Sequence, residues 1–123
     1  MKTILVVEDN AVNLELLTQL LEDDYWIETA EDGAAGVAAA QRVRPDLVIM
    51  DLSLPVVDGW EAIRRIRLDP ALARTPIIAL SAHAAQVDIE RARAVGCDAY
   101  LTKPVDDVEL ERTIGSLLVG ARP

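Results

Sequence analysis

Leu47-Val48-Ile49-Met50-Asp51-Leu52-Ser53-Leu54-Pro55-Val56-Val57-Asp58-Gly59 sets four apolar residues against an aspartate, then enters a loop punctuated by Pro and Gly. Four apolar residues without polar alternation predict a strand covered on both faces, as in a parallel sheet. Ile4-Leu5-Val6-Val7 and Ile77-Ile78-Ala79-Leu80 have the same character. Trp26-Ile27-Glu28-Thr29-Ala30 mixes polar with apolar, and Ala99-Tyr100-Leu101-Thr102 is weaker, so these two are expected at the sheet edges. The five segments start 20 to 30 residues apart, room for a strand, a loop and a helix each. Such alternation argues for right-handed crossovers and an α/β fold. The simplest order with segments two and five outside is 2-1-3-4-5, a flavodoxin-like, doubly wound, five-stranded parallel sheet with five helices.

The intervening stretches carry helix signals. Asn10 can cap a first helix running to about Glu22, and Asp32 can open an Ala-rich second one. Gly59 leads into a third, through Ile63 and Ile66, which stops before Pro70. Gly96 suits the residue just past the end of the fourth. Asp106 followed by Glu109 has capping-box spacing for the fifth. The fourth, Gln86–Val95, has few large apolar residues and is expected to be the loosest helix.

At 123 residues and 13.4 kDa the chain suits one domain, 1–123, and 51% hydrophobic content supplies a core. A net charge of −9 and a pI near 4.4 repel phosphate backbones and anionic membranes, so direct nucleic-acid binding is not expected. Apolar runs end after about four residues, short of the ~20 that a spanning helix needs. Met1-Lys2-Thr3 leads directly into strand-like sequence, without a signal peptide, and the expected location is the cytoplasm. A single cysteine, Cys97, excludes an internal disulfide and a cysteine zinc cage; it reads as a small apolar residue.

In open parallel sheets ligands sit outside the carboxyl ends of the strands. Those ends carry Glu8 and Asp9, Asp51, Ser81, and Thr102-Lys103-Pro104. In the order above, three carboxylates, a hydroxyl and an ammonium converge on one rim. Crowded carboxylates raise one another's pKa unless a cation joins them, and a hard divalent ion such as Mg²⁺ fits oxygen ligands. Lys103 supplies fixed positive charge and Ser81 a donor for an oxyanion, a set suited to phosphoryl transfer. A carboxylate can accept the phosphoryl group, and Asp51, ending the most buried strand, is best placed.

Val6-Val7-Glu8-Asp9-Asn10, Val48-Ile49-Met50-Asp51-Leu52-Ser53-Leu54-Pro55-Val56-Val57-Asp58-Gly59, Ile77-Ile78-Ala79-Leu80-Ser81-Ala82 and Tyr100-Leu101-Thr102-Lys103-Pro104 together resemble the receiver domain of two-component response regulators. The likeness spans nearly the whole chain in order and spacing, and implies a CheY-like single-domain receiver, a signalling switch and not an enzyme. It implies Asp51 as phosphoacceptor, with Asp9, Asp51 and the Ser53 carbonyl on Mg²⁺ and Glu8 reaching the ion through water. Ser81 becomes the switch hydroxyl, Tyr100 the switch aromatic, Lys103 the phosphate partner, and the Lys103–Pro104 bond is often cis in the family. The implied donor is a histidine kinase or histidine phosphotransfer protein, with a downstream protein target and a monomer or weak phosphorylation-dependent dimer. Phosphorylation adds about −2 charge, which should draw Ser81 and Lys103 inward and let Tyr100 turn in. Ser81 stands where threonine is commoner, and Ser53 and His83 occupy positions that tune phosphate lifetime in the family.

On the first helix, Leu14, Leu17 and Leu21 make a core stripe, while Val12, Leu16 and Leu20 recur on another face. Val12 and Leu16, with Pro104, are expected to form an apolar dock for a helix of the donor. Trp26 and Trp60 are expected to pack, His83 to lie in a loop near the site, and Arg64, Arg65 and Arg67 to form a solvated helix face. Two rival readings fit these residues less well. A flavin or nucleotide enzyme needs a Gly-, Ser- or Thr-rich loop after the first strand, where Glu8-Asp9-Asn10-Ala11 repels phosphate instead. A pseudo-receiver that is never phosphorylated does not need the full acidic, hydroxyl and lysine set.

Overall fold

The structure is a computed structural model that describes residues 1–83 and 85–120. Its elements run β1 (Thr3–Val7), α1 (Ala11–Leu21), β2 (Trp26–Ala30), α2 (Gly33–Val43), β3 (Leu47–Asp51), α3 (Gly59–Leu68), β4 (Ile77–Ser81), α4 (Gln86–Val95), β5 (Ala99–Thr102) and α5 (Asp107–Gly120). A short 3-10 turn, Pro70–Leu72, follows α3. The sheet is parallel throughout, in the order β2-β1-β3-β4-β5 expected from the distribution of apolar runs.

Strand side chains alternate between faces, so each central strand feeds two cores. Leu5, Val7, Val48, Met50, Ile77 and Ala79 meet Val37, Ala40, Ala62, Ile63 and Ile66 from α2 and α3. Ile4, Val6, Leu47, Ile49, Ile78 and Leu80 meet Leu17, Leu21, Leu110, Ile114 and Leu118 from α1 and α5. Every residue of β3 and β4 is buried, whereas β2 and β5 are partly exposed, as their mixed composition requires.

The caps are local chemistry. Asn10, Asp32, Asp58 and Asp106 each accept a backbone N–H three residues on, at 2.7 to 3.0 Å. Gly96 closes α4 at φ 112, a conformation that favours glycine. In contrast, α4 begins at Ala85 with no side-chain cap, and Ala92 is its one buried residue. Arg44 ends α2 at φ 52, an unusual non-glycine conformation directly before Pro45.

Two expectations are corrected. Trp26 does not pack: it is 63% exposed at the start of the outer strand β2, which has a neighbouring strand on one side only. Arg67 does not belong to the solvated face with Arg64 and Arg65. Its side chain is 17% exposed and its guanidinium donates to the carbonyls of Leu72, Thr75 and Gly96 and to Asp98 Oδ2, at 2.6 to 3.0 Å. Five planar N–H donors let one side chain tie α3 to the turn before β4 and to the α4–β5 loop.

Candidate functional site

Two strand ends bring the acidic residues together. Glu8 and Asp9 follow β1, Asp51 closes β3 beside it, and one carboxylate oxygen of each lies within 4.8 Å of the others. Glu8 and Asp51 are almost fully buried and Asp9 is exposed. From β5, at the far side of β4, Lys103 reaches across to place Nζ 2.9 Å from Glu8 Oε1 and 3.1 Å from Asp51 Oδ2. Its backbone N–H donates to the Ser81 carbonyl at 2.7 Å, fixing the start of that reach. The Lys103–Pro104 peptide bond is cis. Burial pushes the Lys103 pKa down, but hydrogen bonds and charge from Glu8 and Asp51 outweigh it, and the net shift is upward. The ammonium is therefore charged at neutral pH.

The two buried carboxylates are not equivalent. Glu8 has both oxygens engaged, Oε1 by Lys103 and Oε2 by the Asn10 N–H at 3.1 Å. Asp51 is oriented by the Ser53 N–H, 3.0 Å from Oδ1, and by Lys103 on Oδ2. Three carboxylates against one ammonium leave two negative charges. A hard divalent cation fits that excess and that oxygen donor set, with Asp9 the most accessible ligand.

The loop after Asp51 is held close under the site. A Cβ on Gly59 would stand 2.2 Å from the Asp51 carbonyl oxygen, and one on Gly33 would stand 1.7 Å from the Val57 carbonyl oxygen. Both positions therefore need glycine so that α2 and α3 can approach the acceptor loop. Within it, Val57 N–H bonds back to the Pro55 carbonyl at 2.8 Å around Val56, which sits at φ 67. A β-branched residue there is strained, as found near functional sites.

Ser81 is buried at the end of β4, with Oγ accepting the His83 N–H at 3.0 Å. The same His83 carbonyl accepts the Tyr100 hydroxyl at 2.5 Å, and the half-buried Tyr100 ring rests on the core shared with α2 and α3. One peptide segment thus links the hydroxyl expected to switch with the aromatic expected to follow it.

Beside the rim, an open groove of 480 Å³ runs between α1 and the β5–α5 connection. Leu16, Leu17, Leu20 and Leu80 form its apolar wall, with Pro104 and Val105 opposite and Glu8 and Lys103 at its end. Leu16 and Pro104 both line it. Val12, 67% exposed, lies outside the lining, and Leu20 rests against the core edge. Val105 and Asn13 were not anticipated; for Val105 the available signal was an apolar residue directly after the Lys-Pro pair. Among the described residues no helix is long and apolar enough to cross a membrane.

Comparison with known proteins places this geometry. The family model for the response regulator receiver domain matches residues 4–115. The polar-differentiation response regulator DivK of Brucella anthropi is 37% identical over 118 residues, covering 95% of this chain and 96% of that protein. The receiver domain of a Pseudomonas aeruginosa sensor histidine kinase, solved with a magnesium ion coordinated in its active-site cleft, is 40% identical with a TM-score of 0.88, covering 95% of this chain and 97% of that one. Vibrio cholerae chemotaxis protein CheY4 superposes with a TM-score of 0.90 at 30% identity, over 95% and 98% of the two chains. With motifs, strand order and rim chemistry all in agreement, the chain belongs to the receiver domain family of two-component response regulators.

Proposed function

We propose that residues 1–123 act as one phosphorylatable receiver, in which Asp51 takes a phosphoryl group from a phosphohistidine of a histidine kinase or phosphotransfer protein. The observation that carries this reading is the bridge from Lys103 Nζ to both Glu8 and Asp51 beside the exposed Asp9. An Asp51 oxygen attacks phosphorus, the P–N bond to the donor imidazole breaks, and an acyl phosphate forms on Asp51. Lys103 stays charged throughout and faces the incoming oxygens. Mg²⁺, when bound through Asp9, Asp51 and the Ser53 carbonyl, supplies further neutralisation of phosphoryl charge. Glu8 keeps Lys103 aimed, and Ser81 turns its hydroxyl toward a phosphoryl oxygen. Because Ser81 Oγ and the Tyr100 hydroxyl hold the two ends of His83, displacement of Ser81 reaches Tyr100 and the α4–β5–α5 face, biasing a two-state element. A pseudo-receiver without phosphorylation leaves the buried Asp51–Lys103 pair without a task.

Treatment with acetyl phosphate and Mg²⁺ should add ~80 Da, the mass of one phosphoryl group on the aspartate. Asp51→Asn should remove that gain and keep the fold. A labelled Asp51→Asn protein overturns the acceptor assignment. For the metal, Asp9→Ala should weaken Mg²⁺ binding more than Glu8→Ala, since both Glu8 oxygens are already occupied. Titration followed by NMR shifts checks this, and equal loss would make Glu8 a direct ligand.

A further inference from the structure

Helix α4 is anchored unevenly. At its C-terminal end the Gly96 carbonyl takes two hydrogen bonds from the Arg67 guanidinium, at 2.8 and 3.0 Å. At its N-terminal end there is no side-chain cap, and only residues 82–85 separate it from Ser81. Ala92 alone is buried, so little apolar area holds the helix to the sheet. Between the ends, the Arg91 guanidinium lies 4.1 Å above the Trp60 ring of α3. Trp60 itself is half-buried against the core and so offers a fixed platform.

These restraints define a lever. With a rise of about 1.5 Å per residue, Arg91 lies ~7.5 Å and Gln86 ~15 Å from Gly96. A displacement at the free end is halved at Arg91 and vanishes at the Arg67 clamp. An attraction between cation and ring depends on close approach over the face, so a swing of this kind weakens it.

We propose that the Trp60–Arg91 stack is a latch that holds α4 in the resting position, with Gly96 as pivot, and so sets how readily the receiver reaches its phosphorylated conformation. It regulates the site of the preceding section and rests on that reading. Loss of the stack removes an interaction that only the resting state makes, and the equilibrium moves toward the other state. At the magnitude expected for a partly exposed cation–ring pair, the shift is about two- to five-fold.

The test uses the full chain carrying Trp26→Phe, so that Trp60 is the one fluorophore of its kind. Label on Asp51 from acetyl phosphate, read by intact mass, is the control; its absence in the parent protein overturns the phosphoacceptor reading and the latch with it. Beryllofluoride with Mg²⁺ should then change Trp60 emission. Arg91→Gln should abolish most of that change and raise the labelling rate two- to five-fold, a gain that simple destabilisation does not produce. Arg91→Lys, which keeps the charge, should fall between the two. Normal labelling of the parent with unaltered Trp60 emission, or Arg91→Gln labelling at or below the parent rate, would overturn the latch while leaving the acceptor assignment intact.

Discussion

Cys97 shows burial outweighing nearby charge on a titratable residue away from the site. It lies between Gly96 and Asp98 against the α3 core, and burial pushes its thiol up to about 12, more than the Arg67 charge pulls it down. An unfolded thiol titrates near 8.5. Between these values the unfolded chain releases a proton that the native chain keeps, so stability falls as pH rises, by up to about 1.4 kcal/mol per pH unit. Cys97→Ala should flatten that limb in urea unfolding from pH 8.5 to 11; an unchanged slope would assign it to other groups. At pH 8 the native thiol should react with Ellman's reagent at least ~100-fold more slowly than in denaturant, since the thiolate is the nucleophile.

Among the elements, α3 displays two kinds of arginine. Glu61 is held down to about 2 by hydrogen bonds from Arg64 and Arg65, yet both arginines are exposed and Glu61 is only half-buried, so these pairs contribute little to stability. Arg67 satisfies three part-buried backbone carbonyls and the more exposed Asp98 carboxylate. Arg67→Ala should therefore cost about 3 kcal/mol, because partners are left unpaired, and Arg67→Lys should recover only part. Urea denaturation of these variants beside Arg64→Ala, expected to leave stability nearly unchanged, makes the comparison. Helix α4, with one buried residue and no cap, should exchange its amides faster than α1, where Leu17 and Leu21 are buried and Asn10 caps the start. Equal protection in hydrogen exchange would show that α4 is secured by more than the Arg67 clamp and the Trp60 stack.

Across the whole molecule, the sheet separates a reactive rim from two independent cores, and the groove between α1 and the β5–α5 connection opens from that rim. Leu16 is 59% exposed on its wall, a large apolar side chain left largely open to solvent. Leu16→Glu should slow phosphotransfer from the cognate histidine-bearing protein by about ten-fold or more, the loss of one well-placed apolar anchor. Labelling by acetyl phosphate should be unchanged, because a small donor needs no dock. Equal loss with both donors would instead indicate damage to the site, and equal retention would place the dock elsewhere.

The sequence alone determined the strand order, the caps Asn10, Asp32 and Asp106, and the meeting of Glu8, Asp9, Asp51 and Lys103 at the rim. All of these follow from local signals: apolar runs read as buried strands, Asn10, Asp32 and Asp106 lie beside the backbone they cap, and a parallel sheet gathers every strand's carboxyl end on one side. Tertiary structure decided what periodicity cannot encode. Arg64, Arg65 and Arg67 read alike in the chain, but only Arg67 points where carbonyls up to 29 residues away converge. Trp26 and Trp60 read alike too, and they part because β2 is an outer strand while α3 lies over the sheet beside α4. The inequality of Glu8 and Asp9 depends on a lysine 95 residues from Glu8. Helical and strand periods report which face of its own element a side chain occupies; the groups that satisfy it come from segments brought near only when the sheet closes its order.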